Sequence, residues 1–323
     1  MSKDNFKEFA ARKEITFTFK NQPGLKEIFE TWSRMVPTLF LLDICVVGVT
    51  KLNRNTLDSN NRKAKYIDLL KTYDEPHYCF SFLPALMEQV SDSRGLKPAD
   101  EIKKQLIEDI NSLRSFFKNA SVYETDEFIL NFADELMGKH IEKNRENFLK
   151  FLSMMNDSYK LHNTIASNLR IEKAREIIEE AKKSNISPQH PLVIIILACL
   201  YGNPSAKKIL KFKDNPKKFQ AENALADIML IQRFTKIKLE MEYYAAKDKK
   251  GFSNVQFLTD DIGLSELFIH FKPNLVQIKD SESGSEIYYT FTINLKKLLT
   301  DIKDEEKEII DLLSVNEEII KGV

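Results

Sequence analysis

Leu-Phe-Leu-Leu-Asp-Ile-Cys-Val-Val, residues 39–47, is a run of large and β-branched apolar side chains interrupted by one acid, Asp43. Pro37 precedes the run and Gly48 follows it. Apolar segments of this length suit a parallel strand that helices cover on both faces, so we predict a buried central strand. An ionised carboxylate there costs several kcal/mol unless it is paired, hydrogen-bonded or bound to a metal. Asp43 is therefore the first candidate functional residue.

Strand and helix patterns alternate around this run. A short strand is predicted at 77–81, and the helix that follows it at 82–90 carries Pro84 in its first turn. Another strand, at 255–258, leads into a helix at 262–271. Such alternation predicts an α/β fold with a central, mainly parallel sheet flanked by helices. Further strands are predicted at 15–19, 275–278 and 287–293, and further helices at 25–35, 192–201 and 219–234, the last continuing toward 246.

Strand patterns are absent from about residue 92 to residue 187, where the sequence is charged and amphipathic. Four helices are predicted in this stretch, at 99–118, 124–139, 141–155 and 159–183. Because the alternation resumes afterwards, we interpret the stretch as an insertion into one core. The predicted organisation is an α/β core formed by residues 1–91 and 188–294, a helical insertion at 92–187, and a charged helical tail at 295–323.

Composition narrows the class of protein. Lys plus Arg equals Asp plus Glu at 48 each, which argues against a binder that depends on net charge alone. Three cysteines, Cys45, Cys79 and Cys199, lie in apolar runs and suggest reduced core thiols. The first 20 residues lack the apolar segment of a signal peptide, and the most apolar run, 192–200, is too short to cross a bilayer. We therefore expect a soluble cytoplasmic protein without a membrane partner.

Two helices carry acids among apolar neighbours. Glu88 lies two turns into the helix after the second strand, although a single acid at such a position more often faces solvent. Asp227 is the only polar side chain from Ala224 to Ile231, so it must be satisfied inside the fold. Asn223, one turn earlier, could hydrogen-bond to it. The alternative interpretation of Asp227 is a buried aspartate held by a hydroxyl or a backbone amide.

The segment Thr259-Asp260-Asp261 follows the strand at 255–258. Either acid could simply cap the next helix, because threonine and aspartate are common N-caps. In open α/β sheets, however, functional groups collect at the carboxyl ends of the strands, where Asp43 is also expected. Four acids gathered there would repel one another without divalent cations. Ligand sets made only of oxygen atoms favour Mg²⁺ or Mn²⁺ over Zn²⁺.

The order of these motifs resembles that of the PIN-domain nucleases. The resemblance consists of a strand that ends in Asp43, Ser81 followed by Glu88, the helix segment Asn223-Ala-Leu-Ala-Asp227, and the segment Thr259-Asp-Asp-Ile-Gly-Leu264. Its Thr-x-Asp-x-x-Leu pattern aligns Asp261 better than Asp260. The resemblance covers about residues 39–90 and 192–293, and each of its motifs is weak by itself.

The resemblance implies metal-dependent hydrolysis of phosphodiester bonds, most often in RNA, with Mg²⁺ or Mn²⁺ as cofactor. Asp43, Glu88 and Asp227 would be the core metal ligands, and Asp261, or else Asp260, would complete the catalytic site. Ser81, Asn223 and Thr259 would orient these ligands. The family also suggests a toxin or a phage-defence effector with an inhibitory or activating protein partner, and it is compatible with a homo-oligomer.

Basic residues precede two of the proposed site elements and could contact phosphates. The first cluster comprises Lys207, Lys208, Lys211, Lys213, Lys217 and Lys218, and the second comprises Lys247, Lys249 and Lys250. Both are expected to flank the site, although charge clusters are usually solvated surface.

Two other functions remain open at this point. One is a catalytically inactive scaffold that binds proteins through its helices, and the other is a structure-specific DNA nuclease. Hydrolysis requires that Asp43 and Asp227 lie on the same side of the fold and that neither is neutralised by a lysine or an arginine.

Overall fold

The computed structural model describes residues 36–91, 97–281 and 284–314. The strand predicted at 15–19 and the helix predicted at 25–35 lie outside the described residues, as do residues 315–323 of the predicted tail.

Four parallel strands form the central sheet. In chain order they are β1 (Thr38–Leu42), β2 (Tyr78–Ser81), β3 (Ser121–Val122) and β4 (Asn254–Leu258), and their spatial order is β3-β2-β1-β4. Leu39 of β1 pairs with Cys79 on one side and Val255 on the other. All five residues of β1 are buried, which agrees with its central position. The predicted α/β fold with a parallel sheet flanked by helices is therefore confirmed.

The apolar run that contains β1 divides into two elements. The strand ends at Leu42, and a helix, α1 (Ile44–Thr50), begins directly after Asp43, so the single strand predicted over 39–47 is too long. The carbonyl oxygen of Asp43 accepts a hydrogen bond from the amide of Val46 at 3.0 Å. Packing of buried valines, including Val46, offsets the weak helix propensity of this β-branched segment.

Helices cover the first face of the sheet, where Phe40 and Leu42 point into a hydrophobic core. They are α1, α2 (Arg54–Asp58), α3 (Asn61–Thr72), α4 (Leu83–Ser91), α5 (Ala99–Phe116) and α6 (Asp126–Leu136). Strand β3 lies between α5 and α6 and pairs with β2, so the prediction that residues 92–187 contain no strand is wrong. Two residues are too few to show an alternating pattern.

The long helix α11 (Ala221–Asp248) covers the second face, where Leu39 and Leu41 pack against its residues Phe234 and Ile237. Beyond it a larger helical core includes α7 (Arg145–Asp157), α8 (Arg170–Lys183), α9 (Pro191–Leu200), α10 (Pro204–Leu210) and α12 (Ile262–Phe268). Every residue of α9 is buried. Helix α8 begins at Arg170, so the helix predicted from residue 159 starts too early.

Within the described ranges, no single helix has both the length and the apolar composition needed to cross a membrane. Helices α9 and α10 meet that criterion only when they are taken together, and they are bent by 119° at their junction.

The last strands form a hairpin separate from the central sheet. Strand β5 (Lys272–Ser281) pairs with β6 (Gly284–Thr292) in antiparallel orientation. The strands predicted at 275–278 and 287–293 are thus confirmed, but they do not extend the parallel sheet. Two short helices follow, α13 (Leu295–Leu298) and α14 (Glu306–Leu313), and Arg175 of α8 forms an ion pair with Glu308 of α14.

Candidate active site

The carboxyl ends of β1 and β4 lie side by side, which brings Asp43 next to the segment that follows β4. Leu42 pairs with Leu258, and the amide of Asp43 donates a hydrogen bond to the carbonyl oxygen of Leu258 at 3.0 Å. The hydroxyl of Thr259 donates to Oδ2 of Asp43 at 2.6 Å. Asp43 is 5% exposed. Thr259 therefore orients a buried carboxylate, in the position that the resemblance implied for it.

Cys45 is a second partner of Asp43, although its apolar sequence context indicates only a core thiol. Its Sγ donates to Oδ2 of Asp43 at 3.0 Å, and it accepts a hydrogen bond from the amide of Asp260 at 3.1 Å. Burial, reinforced by the charge of Asp43, raises the pKa of the Cys45 thiol well above its usual range. A thiol that stays protonated is a hydrogen-bond donor and a poor nucleophile, so Cys45 positions Asp43.

Asp227 lies in the second turn of α11 and forms an ion pair with Lys211, the C-cap residue of α10. The distance from Lys211 Nζ to Asp227 Oδ2 is 3.0 Å. Burial raises the pKa of Asp227 to about 6, although Lys211 acts in the opposite direction. The negative charges of Asp261 and Asp43 add to this rise. The three carboxylates are thus close enough to interact electrostatically across the same end of the sheet.

The two geometric conditions for hydrolysis have different outcomes. Asp43 and Asp227 meet the first condition. The charge of Asp43 contributes to the raised pKa of Asp227, which indicates that the two carboxylates lie on the same side of the fold. Lys211 nevertheless pairs with Asp227, so the requirement for an unpaired aspartate is not met in this conformation. As the side chains stand, no three carboxylate, imidazole or thiol groups in the described part of the chain are arranged to hold one metal ion.

Asp260 and Asp261 have separate environments. The carboxylate of Asp260 accepts two hydrogen bonds from the guanidinium of Arg62, at 2.6 and 3.0 Å, and also pairs with Lys63. Asp260 therefore ties α3 to the end of β4. Asp261 caps α12, since its Oδ1 accepts a hydrogen bond from the amide of Leu264 at 2.9 Å. Its interaction with Asp227 makes Asp261 the better candidate for the fourth acid.

Gly263 allows α12 to pack closely on α10. A Cβ atom at this position would lie 3.0 Å from the Cβ of Lys208 and 3.2 Å from Oδ1 of Asp261. These separations are shorter than ordinary carbon contacts, so a side chain would push the two helices apart. The glycine thus helps to hold Asp261 close to the end of α10, where Lys211 is located.

Glu88 is buried on α4, which packs against β1, α1 and α11. Ser81, predicted to orient a metal ligand, instead donates a hydrogen bond to the carboxylate of Glu124, which also accepts one from the amide of Phe82 at 2.8 Å. Glu124 is 4% exposed, and burial raises its pKa. Glu124 is thus a further buried acid, just beyond the end of β3. The sequence does not reveal it, because a strand of two residues has no recognisable pattern.

The side chain of Asn223 does not hydrogen-bond to that of Asp227. Its side-chain amide donates to the Gln220 side chain, one turn closer to the start of α11, while Asp227 is held by Lys211. The spacing of four residues was compatible with the predicted hydrogen bond, but each side chain has a different partner in the folded chain.

The two lysine clusters lie in different places. Lys207 and Lys208 are on α10, Lys211 at the end of this helix pairs with Asp227, and Lys217 and Lys218 are in the turn that precedes α11. Lys249 and Lys250 are at the other end of α11, about 33 Å along the helix axis from Asp227 at 1.5 Å per residue. The prediction that the second cluster flanks the site is therefore wrong.

A cleft of about 330 Å³ adjoins Thr259 and Asp260. Arg62 and Lys65 contribute cations to its wall, and Leu69 and Ile262 are large apolar side chains that remain more than 40% exposed. Tyr66 also lines it, and the Tyr66 hydroxyl is buried without a hydrogen-bond partner. Burial raises the pKa of Tyr66, and the negative charges of Asp260 and Asp43 reinforce this rise. Its hydroxyl is therefore a protonated donor close to the site.

The raised pKa of Asp227 predicts a specific dependence of stability on pH. The folded chain binds this proton more tightly than the unfolded chain, whose Asp227 has the ordinary value of 3.8. The free energy of unfolding should therefore fall as the pH rises from about 4 to about 6, by at most ~3 kcal/mol. We expect Asp227→Asn to raise the melting temperature at pH 7.5 and to leave it unchanged near pH 4, as measured by circular dichroism.

The exposed residue Asp68 provides a matched control, because its ion pair with Lys71 is on the surface. Asp68→Asn should leave the melting temperature nearly unchanged at both pH values. An Asp227→Asn variant that is less stable than the natural protein at pH 7.5 would contradict the prediction.

Comparison of the chain with protein-family models, with curated proteins and with solved structures finds no match. The proposal for its function therefore depends on the residues of the site and on the resemblance of its motifs.

Proposed function

We propose that the chain is a Mg²⁺- or Mn²⁺-dependent nuclease that hydrolyses phosphodiester bonds in RNA. The observation that supports it most directly is the electrostatic interaction of Asp227 with Asp43 and Asp261. Of these three carboxylates only Asp227 has an ion-pair partner among the described residues, Lys211, so the group carries an excess of negative charge. A divalent cation matches this excess in charge, and oxygen donors match the preference of Mg²⁺ and Mn²⁺.

The residues suited to hold the cation are Asp43, Asp227 and Asp261, with Glu88 as the fourth acid implied by the resemblance. A bound cation would activate a water molecule and stabilise charge on the leaving oxygen. Thr259 and Cys45 keep the Asp43 carboxylate oriented through hydrogen bonds of 2.6 and 3.0 Å. Lys211 is half exposed on a flexible side chain, so its ammonium can withdraw from Asp227 when a cation binds.

The surroundings of the acids suit a nucleic acid strand. Arg62 and Lys63 carry two positive charges, and the carboxylate of Asp260 that they bind neutralises one of them. One positive charge therefore remains for a phosphate. Lys207, Lys208, Lys217 and Lys218 add positive charge on the side of Asp227. In the cleft, the exposed side chains of Leu69 and Ile262 offer an apolar surface to an unpaired base.

Cleavage assays test the proposal directly. The purified chain is incubated with labelled single-stranded RNA, single-stranded DNA and branched DNA, each with Mn²⁺ or with EDTA. We expect cleavage of RNA in Mn²⁺, none in EDTA, and none by the Asp227→Asn variant. Cleavage restricted to branched DNA would replace the proposal with a structure-specific DNA nuclease, and the absence of cleavage of all three substrates would refute nuclease activity.

A catalytically inactive scaffold is the second candidate, and the Lys211–Asp227 ion pair favours it. In this conformation the pair occupies one of the acids that a cation would need. Lys211→Met separates the two functions, because it frees Asp227 without adding a charge. In a nuclease this variant should bind Mn²⁺ more tightly, whereas in a scaffold Mn²⁺ should leave the melting temperature of both proteins unchanged.

Lys65 is expected to contact RNA through a phosphate. It is exposed on the wall of the cleft and forms no ion pair within the part of the chain that the structure describes. Loss of one phosphate contact lowers the slope of log affinity against log salt by about 0.7 for a single strand. We expect Lys65→Ala to weaken RNA binding several-fold in EDTA and to reduce the salt slope by that amount, as measured by fluorescence anisotropy.

The control for this measurement is Lys104→Ala, which removes an exposed lysine of α5 that lies 4.0 Å from Glu108. This variant should leave both the affinity and the salt slope unchanged. Equal effects of the two substitutions would mean that the lysines act only through net charge.

A further inference from the structure

A second and larger cleft has a volume of about 580 Å³. One of its walls is formed by residues of α11 that follow Asp227 in the sequence, from Met229 to Glu240. It shares no lining residue with the cleft beside Thr259 and Asp260. Its volume falls within the range of about 300–1,000 Å³ that is typical of small-molecule sites. Half of its lining is apolar or aromatic and comes from several elements, including Met87 of α4, Phe132 of α6, Phe148 of α7, Ile237 of α11 and Tyr289 of β6.

Arg233 gives this apolar cleft a buried positive group. Its guanidinium donates to Oε1 of Glu142 from Nε at 2.8 Å and from Nη2 at 2.5 Å, and the two side chains are 6% and 8% exposed. The remaining nitrogen, Nη1, is buried and has no hydrogen-bond partner in the structure. A buried donor without an acceptor costs about 1–3 kcal/mol, so the site favours a ligand that supplies an acceptor oxygen.

His190 forms a fixed, neutral part of the wall. Its Nδ1 accepts a hydrogen bond from the amide of Leu192 at 3.2 Å, and burial lowers its pKa to about 4. The neutral ring therefore carries its proton on Nε2, which lies 3.2 Å from the Gln232 side chain. The imidazole also stacks on Phe148, with ring centroids 4.8 Å apart.

The charges at the rim favour a negative ligand. Lys143 and Lys236 are exposed residues of the lining, and neither has an ion-pair partner among the described residues. Glu240 is the one acid of the lining that remains after Glu142 is assigned to Arg233. The cleft thus combines an apolar interior, a guanidinium with an unused donor and a net positive rim.

We propose that this cleft binds a small amphipathic anion, in which an apolar or aromatic body occupies the interior and one carboxylate, sulfonate or phosphate group is directed at Arg233 and Lys236. Charge-assisted hydrogen bonds from a guanidinium are about twice as strong as neutral ones, which would set the orientation of the ligand. The site is independent of phosphodiester hydrolysis, since none of its lining residues belongs to the proposed catalytic group.

Two aromatic probes of nearly the same shape test the charge requirement. Isothermal titration calorimetry is performed with the full chain and either 2-naphthoate or the uncharged 2-naphthalenemethanol. We expect 2-naphthoate to bind at least about tenfold more tightly, because only its carboxylate can accept from Arg233 and attract Lys236. Equal affinities, or no binding of 2-naphthoate up to about 1 mM, would refute the site.

Three variants locate the binding. Lys236→Glu reverses a rim charge and should weaken 2-naphthoate binding about fivefold or more. Ile237→Trp fills the interior and should abolish the binding of both probes. Removal of Arg233 alone would leave Glu142 buried without a partner, so both residues are replaced in one variant, Arg233→Met with Glu142→Leu. This double variant should bind 2-naphthoate no more tightly than the uncharged alcohol.

Lys104→Glu, on the exposed surface of α5, serves as the matched charge control and should not change the affinity for either probe. Circular dichroism confirms that each variant is folded before titration. Binding of 2-naphthoate that survives both Ile237→Trp and the replacement of the buried pair takes place elsewhere on the chain, and it would overturn the proposal.

Discussion

Asp43→Asn is expected to lower the rate of Mn²⁺-dependent RNA cleavage by about 10³-fold, which corresponds to about 4 kcal/mol of transition-state stabilisation. Asparagine has the shape of aspartate but lacks the negative charge that would hold the cation. It also keeps an oxygen that can accept the hydrogen bonds from Thr259 and Cys45. The free energy of unfolding should therefore change by no more than about 1 kcal/mol.

The measurement compares single-turnover cleavage rates with urea unfolding curves for the same preparation. Asp68→Asn is the matched control, because it makes the same substitution at an exposed position of α3 and should keep the full rate. If Asp43→Asn retains more than about a tenth of the rate, Asp43 does not bind the cation and the proposed site is incorrect. If it instead unfolds the chain, the role of Asp43 is structural.

The second large effect concerns stability. Glu142→Ala is expected to lower the free energy of unfolding by about 3–5 kcal/mol, because it leaves the guanidinium of Arg233 buried without a counter-charge. Both side chains are at most 8% exposed, so water would replace the lost carboxylate only in part. The ion pair also joins α11 to the segment just before α7, and its loss should loosen that contact. Urea unfolding followed by circular dichroism gives the value.

An exposed pair provides the comparison. Lys182 and Glu179 of α8 also form a hydrogen-bonded ion pair, at 2.7 Å, but their side chains are about half exposed. Glu179→Ala should therefore cost about 1 kcal/mol or less. The combined replacement Arg233→Met and Glu142→Leu should recover most of the stability lost in Glu142→Ala, because the uncompensated charge is removed with it. A double variant no more stable than Glu142→Ala would show that packing, and not charge, is responsible.

Most of the secondary structure is predictable from the sequence, because its signals are local. The apolar run at β1 predicted a buried strand, and Pro191 and Gly202 bracketed the apolar helix that became α9. The single acid in an otherwise apolar stretch of α11 predicted that Asp227 would be largely buried. The end of a parallel strand also indicated where Asp43 and Thr259 would meet.

Local signals are insufficient where a segment is very short or where its propensity differs from the conformation that packing favours. The residues after Asp43 have strand propensity, yet they form α1, because the valines of that helix are buried against the core. Strand β3 has only two residues, so it has no pattern of its own and depends on its hydrogen bonds to β2. The position of Glu124 over the end of β2 was hidden for the same reason.

Residue patterns alone establish that this chain is an α/β protein and that acids occur at the end of β1, after β4 and within α11. Their partners depend on the folded chain: Lys211 for Asp227, Arg62 and Lys63 for Asp260, and Cys45 for Asp43. Arg62 and Asp260 are 198 residues apart in the chain, and no periodicity links residues at that separation. Their pairing depends on how helices pack on the sheet, which is a property of the whole core.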